Sequence, residues 1–281
     1  MTSLRFFPRI CFGFAFLSVI LILPSITVGA PVVFSGTGAN PAGIQAIVDT
    51  FRTTLGLLNP NVVGSFGSGR REINWDGVPD ALSAPNNLPA NFFNVNSPRG
   101  TIFSTGGTGF QVSANAGVAA VRFDNINPTY SNTFQTFSPQ RLFTALGSNI
   151  LDVDFFVPGT AIPASVTGFG SVFTDVDLAG VTSIQFFDTN NVSLGTFNVQ
   201  PLNNGLSFLG VFFNAGERVG RVRITSGNTA LGPNDSTGTD VVVMDDFIYG
   251  EPSNVPEPAT LVLLGSGLAG VVAAVRRRRQ A

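Results

Sequence analysis

The chain has 281 residues, with 15 basic and 17 acidic groups for a formal net charge of −2 at pH 7, no histidine, no lysine and a single cysteine, Cys11. These absences exclude Ser-His-Asp and Cys-His nucleophilic catalysis, histidine zinc sites and Schiff-base chemistry, and leave carboxylates as the only acid/base groups. A protein that is not an enzyme is the expectation.

At the N-terminus, Arg5 and Arg9 precede an apolar core from Ile10 to Leu23, and Val28-Gly29-Ala30 supplies small residues for cleavage. Residues 1–30 therefore read as a secretory signal peptide and signal peptidase as a partner, with a cut after Gly29 or an uncleaved signal anchor as alternatives. Cys11 falls inside this segment, so the exported part lacks thiols and disulfides, and its stability rests on its core or on calcium. Residues 31–250 are expected to form one ectodomain. Up to residue 254 the exported part carries nine arginines against sixteen carboxylates, net −7, which argues against binding nucleic acid or anionic lipid.

Asn40-Pro41 gives a helix start, and Ile44, Ile47, Val48, Phe51, Leu55 and Leu58 then recur at helical spacing. An amphipathic helix over 41–58 is predicted, packed on a sheet; the membrane-surface alternative is weakened because Arg52 is its only basic residue. From residue 70 the texture changes to short Val/Ile/Phe/Thr-rich runs between Gly, Pro, Asn and Ser clusters, the pattern of an antiparallel β-sandwich or jelly roll. Strands are predicted over 71–75, 99–104, 109–113, 118–124, 149–157, 165–176, 182–188, 194–199, 206–214, 219–225 and 241–250. Turn chemistry falls at Thr189-Asn190-Asn191 and Asn203-Asn204-Gly205.

The chain has 27 Phe against two Tyr and one Trp. The pairs Phe92-Phe93, Phe155-Phe156, Phe186-Phe187 and Phe212-Phe213 are expected to straddle both faces of strands in a two-layer core. A sugar-stacking platform is the sharper alternative, with Trp75 its first candidate and Tyr130 and Tyr249 behind it. Aspartates come in pairs: Asp152/Asp154, Asp175/Asp177 and Asp245-Asp246, with Asp76 and Asp80 upstream. For the Asp-x-Asp pairs a solvated strand face is the preferred reading. Asp245-Asp246, in Val243-Met244-Asp245-Asp246-Phe247-Ile248, resembles the closing strand of carbohydrate-binding jelly rolls. That resemblance implies a structural calcium held by Asp245 and Asp246 with Asp76, the one cofactor the sequence suggests.

A linker over 251–258 ends in Val255-Pro256-Glu257-Pro258; residues 259–275 carry no charge, and Arg276, Arg277, Arg278 and Arg279 follow. Pro256 and Pro258 keep the approach extended. Seventeen residues rising 1.5 Å each span about 25 Å, enough for a short transmembrane helix, and the arginines act as a stop-transfer cluster that places the 276–281 tail in the cytoplasm. The order of motif, span and basic cluster resembles the PEP-CTERM sorting signal of Gram-negative bacteria. The resemblance implies an exosortase as processing partner, the inner membrane as a transient station, and a final place at the cell surface or in the matrix of a bacterium that makes exopolysaccharide. Ectodomain segments Gly168–Phe187 and Leu206–Ser226 also resemble those of other PEP-CTERM proteins, without implying an activity. The tail is also labelled as the C-terminal segment of ice-binding proteins; the regular Thr-x-Thr array of an ice-facing surface is missing from the ectodomain.

The sequence thus reads as an exported, non-enzymatic surface or matrix protein with an all-β ectodomain. A carbohydrate-binding module for the exopolysaccharide is the alternative, and a glycosidase working through two carboxylates is a third reading.

Overall fold

The computed structural model describes residues 29–114 and 121–254, and in the tail residues 266, 267, 270, 276 and 277. The signal peptide up to residue 28, Val255 to Pro258, most of the apolar stretch, Arg278 and Arg279 lie outside the described residues. The five described tail residues are helical. Among the described residues no helix is long and apolar enough to cross a membrane.

In chain order the elements are β1 (Val32–Gly38), α1 (Pro41–Leu55), β2 (Arg70–Ile73), α2 (Phe92–Val95), β3 (Thr101–Ser104), β4 (Gly109–Val112), α3 (Tyr130–Thr133), β5 (Phe143–Leu146) and β6 (Ile150–Phe155). They continue with β7 (Ala164–Ser165), β8 (Gly168–Val176), β9 (Ser183–Asp188), β10 (Ser193–Asn198), β11 (Leu202–Phe212), β12 (Val219–Thr225), β13 (Val243–Gly250) and β14 (Ser253–Asn254). The protein is mostly β, and its strand pairs are antiparallel. One sheet runs β1-β11-β8-β13-β5-β4, with β2 also on β13; a second runs β10-β9-β12-β6-β3; β14 pairs with β7.

Period-two alternation decides which faces meet. From the first sheet Phe169, Phe173, Leu209, Met244 and Phe247, and from the second Phe103, Val153, Phe186, Val222 and Ile224, join one buried cluster. The opposite parity of the first sheet, Val172, Phe208 and Ile248, packs under Ile44, Val48, Phe51 and Leu55 of α1. Gly170 and Gly210 face each other across β8 and β11, and a Cβ on either would come within 2.9 Å of the Phe51 ring. The hollow they leave is where α1 seats its aromatic anchor. The predicted helix ends at Leu55, three residues short, because Gly56 turns the chain with φ +103°. Arg52 leaves the membrane-surface reading no basis: it reaches over the sheet edge to Glu72 at 2.9 Å and Asp246 at 3.3 Å.

Other expectations are corrected. The strand expected over 118–124 fails in its described part, where Val121 makes one isolated bridge and Arg122 and Phe123 turn with φ of 49° and 67°. Phe92 and Phe93 are both buried in the short α2 and so straddle no strand. Phe212 and Phe213 do part, one toward the α1 cluster and the other into the inter-sheet core. The Asn203-Asn204-Gly205 turn is a bulge inside β11, between the pairings Leu202↔Val176 and Leu206↔Thr174.

Candidate functional site

The distal end of β8 carries the most unusual chemistry in the molecule. Asp175 sits at φ +64°, a left-handed conformation that aspartate tolerates better than most residues and that breaks the strand's alternation. The β11 bulge lies opposite, and its Asn204 N–H donates to Asp175 Oδ1 at 2.7 Å. The solvated face expected for this pair is therefore corrected for Asp175, which is only 2% exposed. Asp152, by contrast, does lie on a charged strand face: Arg221 and Arg223 donate to it at 2.8–2.9 Å.

The loop between β12 and β13 folds over Asp175 and adds two more carboxylates. Asp240 accepts the Leu178 N–H at 3.0 Å and the Asp177 N–H at 3.3 Å, and the Tyr130 hydroxyl donates to Gly232 O at 2.6 Å, so the loop is pinned on both sides. This brings Asp235 down onto the pair. Asp175, Asp177 and Asp235 each present a carboxylate oxygen within 4.8 Å of the others. That is about twice a Ca–O bond, so one cation of that size can touch all three. They line a cavity of about 340 Å³ with Thr133, Asn203 and Thr239, which add the neutral oxygens calcium also takes.

The electrostatics are uncompensated. Burial, then repulsion from Asp177, Asp235 and Asp240, pushes Asp175 up to about 7. Asp177 and Asp240 are raised by burial and by their acidic neighbours, and Asp235 by burial. No salt bridge among the described residues involves any of the four. Asp177 Oδ1 is buried and has no hydrogen-bond partner among the described residues. A buried carboxylate oxygen without a donor is costly, and a divalent cation would offset that cost directly.

Asp76, Asp245 and Asp246, the set expected to hold calcium, gather instead around the loop at Ser138. A bulge in β13 between Met244 and Phe247 turns both Asp245 and Asp246 toward it. Asp245 Oδ2 accepts the Phe137 N–H at 2.6 Å and the Ser138 N–H at 3.2 Å, and the Ser138 hydroxyl donates to Asp246 at 2.7 Å. Asp76 accepts the Arg141 N–H at 3.2 Å. Backbone and hydroxyl donors already meet Asp245 and Asp246, so this cluster ties a loop to the sheet. Burial raises Asp245, with the adjacent Asp246 charge adding to it, and burial also raises Asp246.

Trp75 is corrected outright as a sugar platform. It is 1% exposed, its ring stacks on Phe143 with centroids 3.9 Å apart, and its Nε1 donates to Asp245 O at 2.8 Å. Tyr130 and Tyr249 are fully buried as well. The one polar atom of each of these rings faces inward, where water and sugars do not reach.

At the other end, β13 delivers the chain to Glu251 and β14, and the sorting signal follows at once. Residues 254–279 match the family model of the PEP-CTERM protein-sorting motif. The PEP-CTERM signal makes this an exported, surface-targeted protein with an exosortase as processing partner. Comparison with curated proteins and with solved structures finds no match. The Asp175/Asp177/Asp235 group had only a partial signature in the sequence. Its first two members stood out as a pair, but Asp235 is 58 positions further on, in the polar run Pro233-Asn234-Asp235-Ser236-Thr237-Gly238.

Proposed function

We propose that the chain is a non-enzymatic structural protein of the cell surface or extracellular matrix, exported through its N-terminal signal and held at the inner membrane by its tail until an exosortase cuts it free. Its ectodomain is a two-layer β-sandwich of the jelly-roll class, a reading supported by the single core that both sheets share. The observation that carries the proposal is the PEP-CTERM match beginning at Asn254, the last residue of β14. Among the described residues the last strand ends at Asn254, so cutting within Val255-Pro256-Glu257-Pro258 leaves every described strand on the released part. A calcium ion at Asp175, Asp177 and Asp235 is the cofactor, and it closes the loop that bears Asp235. Exopolysaccharide is the surrounding matrix.

Intact-mass measurement of the protein recovered from cells with and without their exosortase tests the route. Loss of both ends only where the enzyme is present is expected; a tail retained in both strains would make the protein a plain single-pass membrane protein.

One observation favours a carbohydrate-binding module as the second reading. A cavity of about 470 Å³ is lined by the half-buried Phe156 with Asp154, Asp188, Asn191 and Arg221, an apolar ring beside polar groups that could orient a ligand. A glycan array covering acidic and neutral polysaccharides decides it: binding lost in Asn191→Ala supports the module, and no binding supports the structural role. A reducing-sugar assay across aspartate-to-asparagine variants addresses the glycosidase reading, which needs two carboxylates at a set separation.

A further inference from the structure

The exposed apolar side chains are distributed unevenly. Among the described residues, those standing exposed are Val32, Val33, Leu57, Leu58, Val62, Val63, Phe66, Val95, Ile150, Ile162 and Val192. All but Ile150 belong to segments at one end of the molecule, the end from which the chain leaves for its tail. Val32 pairs with Phe212, itself opposite Gly168 at the start of β8, and Tyr249 next to the exit pairs with Phe169. Val192 closes the turn that follows Asp188, whose partner Val219 is bridged to Val166. Ile150, opposite Thr225, lies at the far end.

The loop 57–66 carries five of these side chains, and it is fixed directly to the exit. Glu251 accepts the Phe66 N–H at 3.2 Å and the Asn59 side-chain amide at 2.9 Å, and it pairs with Arg71 at 2.6 Å. The Gly64 N–H donates to Pro158 O at 2.8 Å, which sets Val63 against Gly159. So Leu57, Leu58, Val62, Val63 and Phe66, with exposures from 47% to 83%, belong to a loop tied to Glu251, three residues before Asn254. Their backbone is held, and although Phe66 lies against the Arg71 guanidinium and Val63 against Gly159, about half or more of each side chain is left uncovered.

We infer that this end is a bilayer-facing platform: while the tail is uncut, the 57–66 loop rests its apolar side chains in the lipid interface beside the span. The inference depends on the membrane-held reading of the tail. Chain length argues for lipid as the occupant. From Asn254 to Ala259, where the apolar stretch begins, there are five residue steps, which reach at most about 17 Å. The interfacial layer on each side of the hydrocarbon takes up several ångströms of that reach. The ectodomain therefore cannot lie far from the membrane, and the end it must turn toward lipid is the end that carries the apolar loop. The carboxylates Asp175, Asp177 and Asp235 gather at the other end of β8, where Asp175 is seven residue steps or about 23 Å from Gly168, so that cluster's charge is held away from this contact. The contact is apolar, so it needs no anionic lipid.

The test uses the full chain in a Cys11→Ser background, reconstituted into phosphatidylcholine vesicles with and without brominated acyl chains. The chain has no other thiol, so Val63→Cys, Ile150→Cys and Leu264→Cys each accept one environment-sensitive fluorophore. The label at position 63 is expected to shift to the blue and lose emission to brominated lipid, as the label at 264 does, while the label at 150 does neither. Quenching at 264 with none at 63 overturns the platform and leaves the tail reading standing. No quenching at 264 overturns the tail reading and the platform with it. A blue shift at 63 without quenching, together with a doubled mass in detergent, assigns the face to a second copy of the chain and overturns the lipid assignment.

Discussion

Asp175 and Asn204 meet across the β11 bulge, with the Asn204 N–H 2.7 Å from Asp175 Oδ1. That one donor does not balance a carboxylate crowded by Asp177 and Asp235. Calcium is therefore expected to raise the melting temperature. At about 100 times its Kd a ligand adds about 2.7 kcal/mol, which for a domain of this size is roughly 5–10 °C. Differential scanning calorimetry in calcium and in excess chelator measures the shift, and Asp175→Asn or Asp235→Asn should abolish it. Identical melting curves for the native protein in the two conditions would remove the site.

The same carboxylate sets a pH dependence whose sign is fixed. Burial, with its acidic neighbours, pushes Asp175 up to about 7 from the ordinary 3.8, so the folded state holds its proton more tightly than the unfolded one. Chelated protein should then be most stable at and below about pH 4 and lose stability as the pH rises from there through 7. Calcium, by favouring the charged form, should flatten or reverse that slope. Asp245 contributes in the same direction, so the diagnostic quantity is the difference between native protein and Asp175→Asn. Parallel curves for the two proteins in chelator would contradict the assignment.

Trp75 is a core residue, and its loss should be felt as one. The ring stacks on Phe143 and meets Phe93 and Phe247 edge-on at 5.3 and 5.0 Å. Trp75→Ala should cost about 3–5 kcal/mol in urea denaturation. Because Trp75 is the sole tryptophan, its emission should be that of a buried indole and stay unchanged on adding polysaccharide. A polysaccharide-dependent shift would contradict this placement.

Arg71 and Glu251 form a bidentate pair with both side chains essentially inaccessible, Nε to Oε2 at 2.6 Å and Nη2 to Oε1 at 2.9 Å. Removing one partner leaves the other charge buried, so Arg71→Met should cost about 3–5 kcal/mol. The double variant Arg71→Met/Glu251→Leu should regain part of that loss, because no charge is left buried, while the Pro60, Gly64 and Pro98 carbonyls and the Phe66 N–H lose their partners. The urea midpoint at constant slope reports both. If the double variant is as unstable as the sum of the single ones, the two residues are not coupled.

Elements whose apolar pattern agrees with their tertiary surroundings were legible from the residues alone. The helix began at Pro41 as its spacing implied, and Arg221-Val222-Arg223-Ile224 put its aliphatics inward and its arginines on Asp152, matching strand β12 at both ends. Where the expectation failed, a non-local partner had changed the local answer. Arg122 turns because its guanidinium donates to the carbonyls of Ser131 and Phe134, while Phe123 fills a small cluster with Tyr130, Phe134 and Val241. No alternation in residues 118–124 encodes those partners. The β5 strand escaped notice because four residues of mixed character become a strand only when β4 and β13 lie on either side.

The sequence by itself determined the address and the excluded chemistry. Contiguous residues carry the sorting signal, and composition alone removes histidine and lysine from any mechanism. Only the tertiary structure decided which carboxylates are met by donors and which are crowded together without them. Asp245 and Asp246 looked like ligands in the chain, but the fold aims backbone N–H groups and the Ser138 hydroxyl at them. Asp175 and Asp177 looked like a solvated face, but a bulge from β11 and a loop from 58 positions away enclose them with Asp235 and leave Asp177 Oδ1 without a donor among the described residues. Burial and the count of donors are properties of space, set by segments far apart in the chain, and an aspartate's neighbours in sequence do not report them.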